Sequence, residues 1–196
     1  MTLRTIRITL WVVVVIVAML ATGAYFILKT PSPGGGYGGG NYALVDGNGA
    51  AVTPASLTGG PSLLFFGYTH CPDVCPTTLS DMAAWYQQLG DEGKPLRAFF
   101  VTVDPERDTP AVINGYVHAV SDRITGVTGS PEEIAKIVSA WKVLAEKVPG
   151  ENGDYTMNHT ASVFLLNSKG QFEGTIAYGE SQDVALQKIR RLIANG

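Results

Sequence analysis

The stretch Leu63-Leu64-Phe65-Phe66-Gly67-Tyr68-Thr69-His70-Cys71-Pro72-Asp73-Val74-Cys75-Pro76 passes from an unbroken apolar run into a loop punctuated by cysteine and proline. Led in by Pro61-Ser62, the run from Leu63 to Tyr68 predicts a buried strand. Pro76 predicts a helix start, with the helix running to about Leu89, because a proline at the first helical position has no backbone bond to lose. Leu79, Met82, Ala83 and Tyr86 supply its apolar face. Cys71 and Cys75 each precede a proline, which disfavours helical backbone. The cysteines are therefore expected in a loop that ends where the helix begins.

Working outward, Leu96 to Val103 reads as a second buried strand. Pro110 opens a helix through about Val120, and Pro131-Glu132-Glu133 opens another, with acidic residues suited to the helix dipole. Thr160 to Leu166 reads as a strand, Asn167 to Gly170 as a turn, and Phe172 to Tyr178 as the returning strand. Asp183 to Ala194 is an amphipathic helix with Val184, Ile189, Leu192 and Ile193 apolar. Upstream, Tyr42 to Asp46 and Ala50 to Thr53 flank an Asp-Gly turn, a hairpin signal. A β-α-β unit followed by a β-β-α unit is an α/β order. It matches a thioredoxin-like fold: a central mixed sheet flanked by helices, with an N-terminal hairpin extension. No internal repeat is present.

The N-terminus has a different character. Ile8 to Leu28 carries no charge over 21 residues. At about 1.5 Å per residue it spans roughly 31 Å, the thickness of a bilayer core. This predicts one transmembrane helix over 8–28, with Arg4 and Arg7 keeping residues 1–7 cytoplasmic. A cleaved signal peptide ending near Ala21-Thr22-Gly23 is the rival reading, but the run exceeds the usual apolar core of such peptides. Either way the rest of the chain lies outside the cytoplasm, in a bacterial periplasm or its equivalent. The stretch PSPGGGYGGG, with six glycines in ten residues, makes 29–41 a flexible tether reaching roughly 17 Å. Residues 42–196 form the domain.

The chain has 196 residues, 45% of them apolar and 16% charged, and a mean hydropathy of +0.14. Its net charge is −3. Past residue 30 it carries 11 positive and 17 negative charges, a net of −6. That sign disfavours nucleic acid as a partner. Two cysteines are too few for a disulfide-stapled mini-protein.

Those two cysteines carry the chemistry. A helix N-terminus at Cys75 favours the thiolate, which is both nucleophile and metal ligand. A bridge across so short a loop adds little stability, so a metal site or a redox pair is the stronger reading. A third donor would favour metal. Of three histidines, His118 reads as a surface residue, His70 adjoins Cys71 and could tune it, and His159 opens the strand at 160–166, facing the cysteine loop in a fold of this kind. Met82 reads as core; Met157, two residues from His159, is a further candidate soft ligand.

The string Phe66 to Pro76, the later Val103-Asp104-Pro105-Glu106-Arg107-Asp108-Thr109-Pro110, and His159-Thr160 together resemble the Sco/SenC family over residues 42 to 195. The resemblance implies a membrane-anchored copper protein that assists assembly of the CuA centre of cytochrome c oxidase. It implies Cys71, Cys75 and His159 as ligands of Cu(I) or Cu(II). The implied partners are the oxidase subunit carrying CuA, another periplasmic copper chaperone and a thiol reductant, with the domain held at the inner membrane. Asn158 stands where many members have aspartate. Asp104 and Asp108 match the family's acidic motif, as partner-docking residues or as turn and cap chemistry. Soft thiolates select Cu(I), and imidazole tolerates both states. The expected function is a copper metallochaperone. The alternative is a thiol–disulfide reductase acting through Cys71 and Cys75 on the recipient's cysteines. Only the first needs His159. A peroxidase is disfavoured because Thr69 stands two residues before Cys71, not three.

Overall fold

The computed structural model describes residues 2–28 and 36–195. Two compact units divide them, one within Met1–Gly35 and one within Gly36–Gly196.

The first unit holds α1 (Leu3–Leu28), a helix of 26 residues. Its apolar side chains, among them Ile8, Leu10, Trp11 and Leu20, are exposed. Among the described residues no helix is long and apolar enough to cross a membrane. The side chains of 23–28 are not among those described.

The second unit is built on β3 (Ser62–Gly67), which is buried along its whole length. A strand covered on both faces needs a continuous apolar run, and Leu63 to Phe66 provide one. β4 (Arg97–Thr102) and then β5 (Ile124–Thr128) join in parallel register. Their crossovers are α2 (Val74–Leu89) and α3 (Pro110–His118). The hairpin of β1 (Leu44–Asp46) and β2 (Ala51–Val52) adds antiparallel to β5. On the other side of β3, β8 (Val163–Leu166) and β9 (Phe172–Ile176) pair antiparallel. The mixed sheet thus runs β2-β1-β5-β4-β3-β8-β9, the thioredoxin-like arrangement. α4 (Pro131–Ala140) follows β5, and α5 (Gln182–Asn195) closes the chain against α2. Thr109 and Ser130 cap α3 and α4, each with proline in the first turn.

Four features depart from the sequence pattern. β5 was not expected between the second and third helices of the domain. Its central Gly126 breaks the apolar run, but a Cβ there would lie 3.0 Å from Ile113 Cγ1, so the glycine admits α3. Residues 145–159 form a separate hairpin, β6 (Ala145–Pro149) with β7 (Tyr155–His159). His159 therefore ends β7 instead of opening the strand at 160–166, which begins at Val163. Third, α2 begins at Val74, so Cys75 lies inside its first turn. Proline is tolerated at the third helical position because the first N–H groups are unpaired in any helix.

The fourth concerns the tether. Residues 29–35 lie outside the described residues, but the stretch just after them is held. The Tyr37 ring stacks on Phe172 at 4.5 Å, and the Gly38 amide donates to the Ala140 carbonyl at 2.9 Å. Tyr37 stays 41% exposed, so its ring holds this glycine-rich segment by one stacked face.

Candidate metal centre

β3, an interior strand of the sheet, ends with Gly67, and the chain turns through Tyr68 to His70 into Cys71. Cys75 is fully buried and Cys71 half-buried. The Cys75 amide donates to Cys71 Sγ at 3.4 Å, folding the four-residue step into a turn around the sulfur. The two sulfurs are not bonded to each other. The β6–β7 hairpin brings the third donor. His159 Nε2 lies 3.4 Å from Cys75 Sγ, across 84 residues of sequence. The donor atoms of Cys71, Cys75 and His159 all lie within 4.8 Å of one another. Metal bonds of about 2.0–2.3 Å suit a triangle of that size.

The other imidazole nitrogen decides the tautomer. His159 Nδ1 lies 3.1 Å from the Thr160 carbonyl oxygen, which can only accept. The ring proton is therefore assigned to Nδ1, and the Nε2 lone pair faces the sulfurs. Tyr68 and Phe65 meet the imidazole edge-on, with ring centroids at 5.8 and 6.1 Å.

Burial sets the charges. It pushes the Cys75 thiol well above its ordinary range, with the nearby Cys71 adding to the rise. The helix N-terminus was expected to favour a thiolate at Cys75; desolvation outweighs it. Burial also lowers the His159 pKa, favouring neutral imidazole.

Space beside Cys75 depends on Gly67, where a Cβ would stand 2.6 Å from Cys75 Sγ and 2.6 Å from Phe100 Cε2. The signal was an isolated glycine at the end of an apolar strand, which marks close approach. Thr69 is the second residue the sequence reading missed. Its amide and hydroxyl donate to the two Asp108 carboxylate oxygens at 3.0 and 2.6 Å, and the Thr102 hydroxyl donates to Asp108 Oδ2 at 2.6 Å.

The remaining candidates are placed as follows. Asp108 is 0% and Asp104 2% exposed, so both carboxylates are turned into the interior. His70 is exposed, with Nδ1 3.1 Å from Thr69 Oγ1, and it stands outside the donor triangle. Met157 is half-buried and shares a face of β7 with His159. His118 bonds back to the Asn114 carbonyl on α3, away from the site.

A family model described as SCO1/SenC matches residues 31–194. This chain belongs to the SCO1/SenC family. It is 36% identical over 160 residues to the bovine mitochondrial protein SCO2 homolog, covering 80% of this chain and 60% of that protein. It is also 36% identical over 159 residues to the Arabidopsis thaliana mitochondrial SCO1 homolog 1, covering 81% and 47%. The chain thus spans about half to two thirds of the length of these curated relatives. Among solved structures it resembles copper-bound Bradyrhizobium japonicum ScoI, with a TM-score of 0.73 and 42% identity over 78% of this chain and 98% of that one. Copper-bound yeast Sco1 gives a TM-score of 0.73 at 28% identity, covering 80% and 88%.

Proposed function

We propose that this Sco-family chain is a copper carrier whose cargo is held by Cys71, Cys75 and His159. The observation that carries the reading is the convergence of two sulfurs and the free Nε2 of a neutral imidazole. Two soft donors and one borderline donor suit Cu(I) and accommodate Cu(II). Three donors leave a position for a recipient's ligand, so cargo can pass without first being released. Half-buried Cys71 and His159 are the sides from which exchange can start; fully buried Cys75 forms the back of the site. The likeness to copper-bound ScoI and Sco1 supports the same cargo.

The recipient in this reading is the CuA subunit of cytochrome c oxidase, loaded outside the cytoplasm. The anchor in this reading rests on the sequence alone: residues 8–28 carry no charge and would extend roughly 31 Å as a helix. With Arg4 and Arg7 on the cytoplasmic side, the domain faces the periplasm as a single-pass inner-membrane protein.

The test is an anaerobic Cu(I) titration of the reduced protein against a competing chelator. One copper per chain is expected, held at least tenfold more weakly in His159→Ala, or about 1.4 kcal/mol. Weak binding indifferent to His159 would overturn the carrier reading and leave the cysteines as the redox pair of a thiol–disulfide reductase.

A further inference from the structure

One short loop, Asp104 to Asp108, contacts both segments that carry the donor set. At its end, Asp108 holds Thr69, two residues before Cys71. At its start, it faces the hairpin that ends in His159. The Tyr155 hydroxyl donates to Asp104 Oδ1 at 2.7 Å. Arg107 Nε donates to the other Asp104 oxygen, and an Arg107 terminal nitrogen donates to the Tyr155 carbonyl at 3.0 Å. The guanidinium also lies 3.7 Å from the centre of the Tyr155 ring and 5.7 Å from that of Tyr68.

The hairpin needs such support. β6 and β7 pair only with each other and are not in the main sheet. Their residues are exposed or half-buried throughout. An isolated two-stranded hairpin is marginal in water. At its base, Thr160 bonds to Leu144 through both amide and hydroxyl. Further out, Lys147 bridges Glu106 and lies over the Tyr155 ring, but on the surface. Asp104 is the buried anchor, and its two carboxylate oxygens are occupied by Arg107 and Tyr155.

We propose that Asp104, Arg107 and Tyr155 form a clasp that holds the β6–β7 hairpin and so sets His159 against Cys75. Arg107 and Tyr155 are then positioning residues for the copper site, acting through His159 without touching the ion. The proposal rests on the three-ligand reading above. Lysine cannot replace Arg107, since it lacks the planar fork that reaches the carboxylate, the carbonyl and the ring together.

The test uses residues 1–196 in detergent, with Tyr155→Phe and Arg107→Lys each made in the wild-type and His159→Ala backgrounds. In the metal-free protein, hydrogen exchange read by mass spectrometry should speed up at least fivefold across 145–159 in both variants. Exchange in β3 should stay unchanged, showing an intact fold. Anaerobic Cu(I) competition should show three- to tenfold weaker binding where His159 is present. The change should be under twofold in His159→Ala, the signature of residues acting through one side chain. Equal losses in both backgrounds would overturn the clasp, as would unchanged hairpin exchange. If His159→Ala itself leaves copper affinity intact while hairpin exchange responds, the clasp stands and the three-ligand reading falls.

Discussion

His159 Nε2 stands 3.4 Å from Cys75 Sγ while its Nδ1 faces the Thr160 carbonyl at 3.1 Å. The backbone bond fixes which nitrogen carries the proton. The sulfur contact shows where the free lone pair points. Together they make an imidazole that is oriented and neutral before any metal arrives, so little reorganisation opposes ligation.

The same burial makes copper uptake depend on pH. The Cys75 thiol is raised and stays protonated near neutrality, so the metal must expel its proton. His159 is lowered, so it is already neutral at pH 7 and releases none there. Apparent Cu(I) affinity should therefore rise with pH from 6.5 to 8, by about tenfold or more per unit, the slope of one released proton. Chelator competition across that range checks it; a flat profile would mean Cys75 is a thiolate before binding.

Gly67→Ala should damage the site directly. Its Cβ would press on both Cys75 Sγ and the Phe100 ring. In a close-packed interior that costs about 1–3 kcal/mol. The displaced sulfur should also weaken copper binding by tenfold or more. Denaturant unfolding and copper titration of the same variant read the two effects.

Asp108→Ala should be among the more destabilising changes near the site. It leaves the Thr69 amide and the Thr69 and Thr102 hydroxyls without their acceptor. Hydrogen bonds to a charged group contribute about 1.5–3 kcal/mol each. A loss of about 3 kcal/mol is expected in urea unfolding, because the threonines can rotate toward other acceptors and the amide cannot. Copper affinity should fall in the His159→Ala background as well, since this network holds the cysteine loop.

The central strand and the helix starts were legible because local patterns specify them. Leu63 to Phe66 could only be a buried strand, and Pro110 and Pro131 opened helices at the expected residues. The cysteine loop announced itself by its prolines and its junction position. The β6–β7 hairpin was not legible, since AEKVP and YTMNH have neither the apolar run nor the strict alternation that marks a strand. Its buried contact outside the hairpin is with Asp104, 51 residues from Tyr155. Asp108 and Thr69, 39 residues apart, illustrate the same limit: each is an ordinary turn residue until the fold brings them together. His159 was found by family resemblance, and its position at the end of β7 came only with the structure.

Gly38→Ala should test the docked end of the tether. Gly38 has a φ of +80°, and a Cβ there would overlap the Trp141 indole. Backbone strain of about 1–3 kcal/mol together with the overlap should release the segment. Limited proteolysis should then cut near Tyr37 faster than in wild type, while copper affinity stays within twofold. Unchanged proteolysis would mean the segment is not held by these contacts.

X-ray absorption at the copper edge, on protein loaded with one Cu(I), tests the central claim most directly. The expected first shell is two sulfurs and one imidazole nitrogen, with the nitrogen and its ring scattering lost in His159→Ala. A shell of two sulfurs alone in the wild-type protein, identical in the variant, would contradict it.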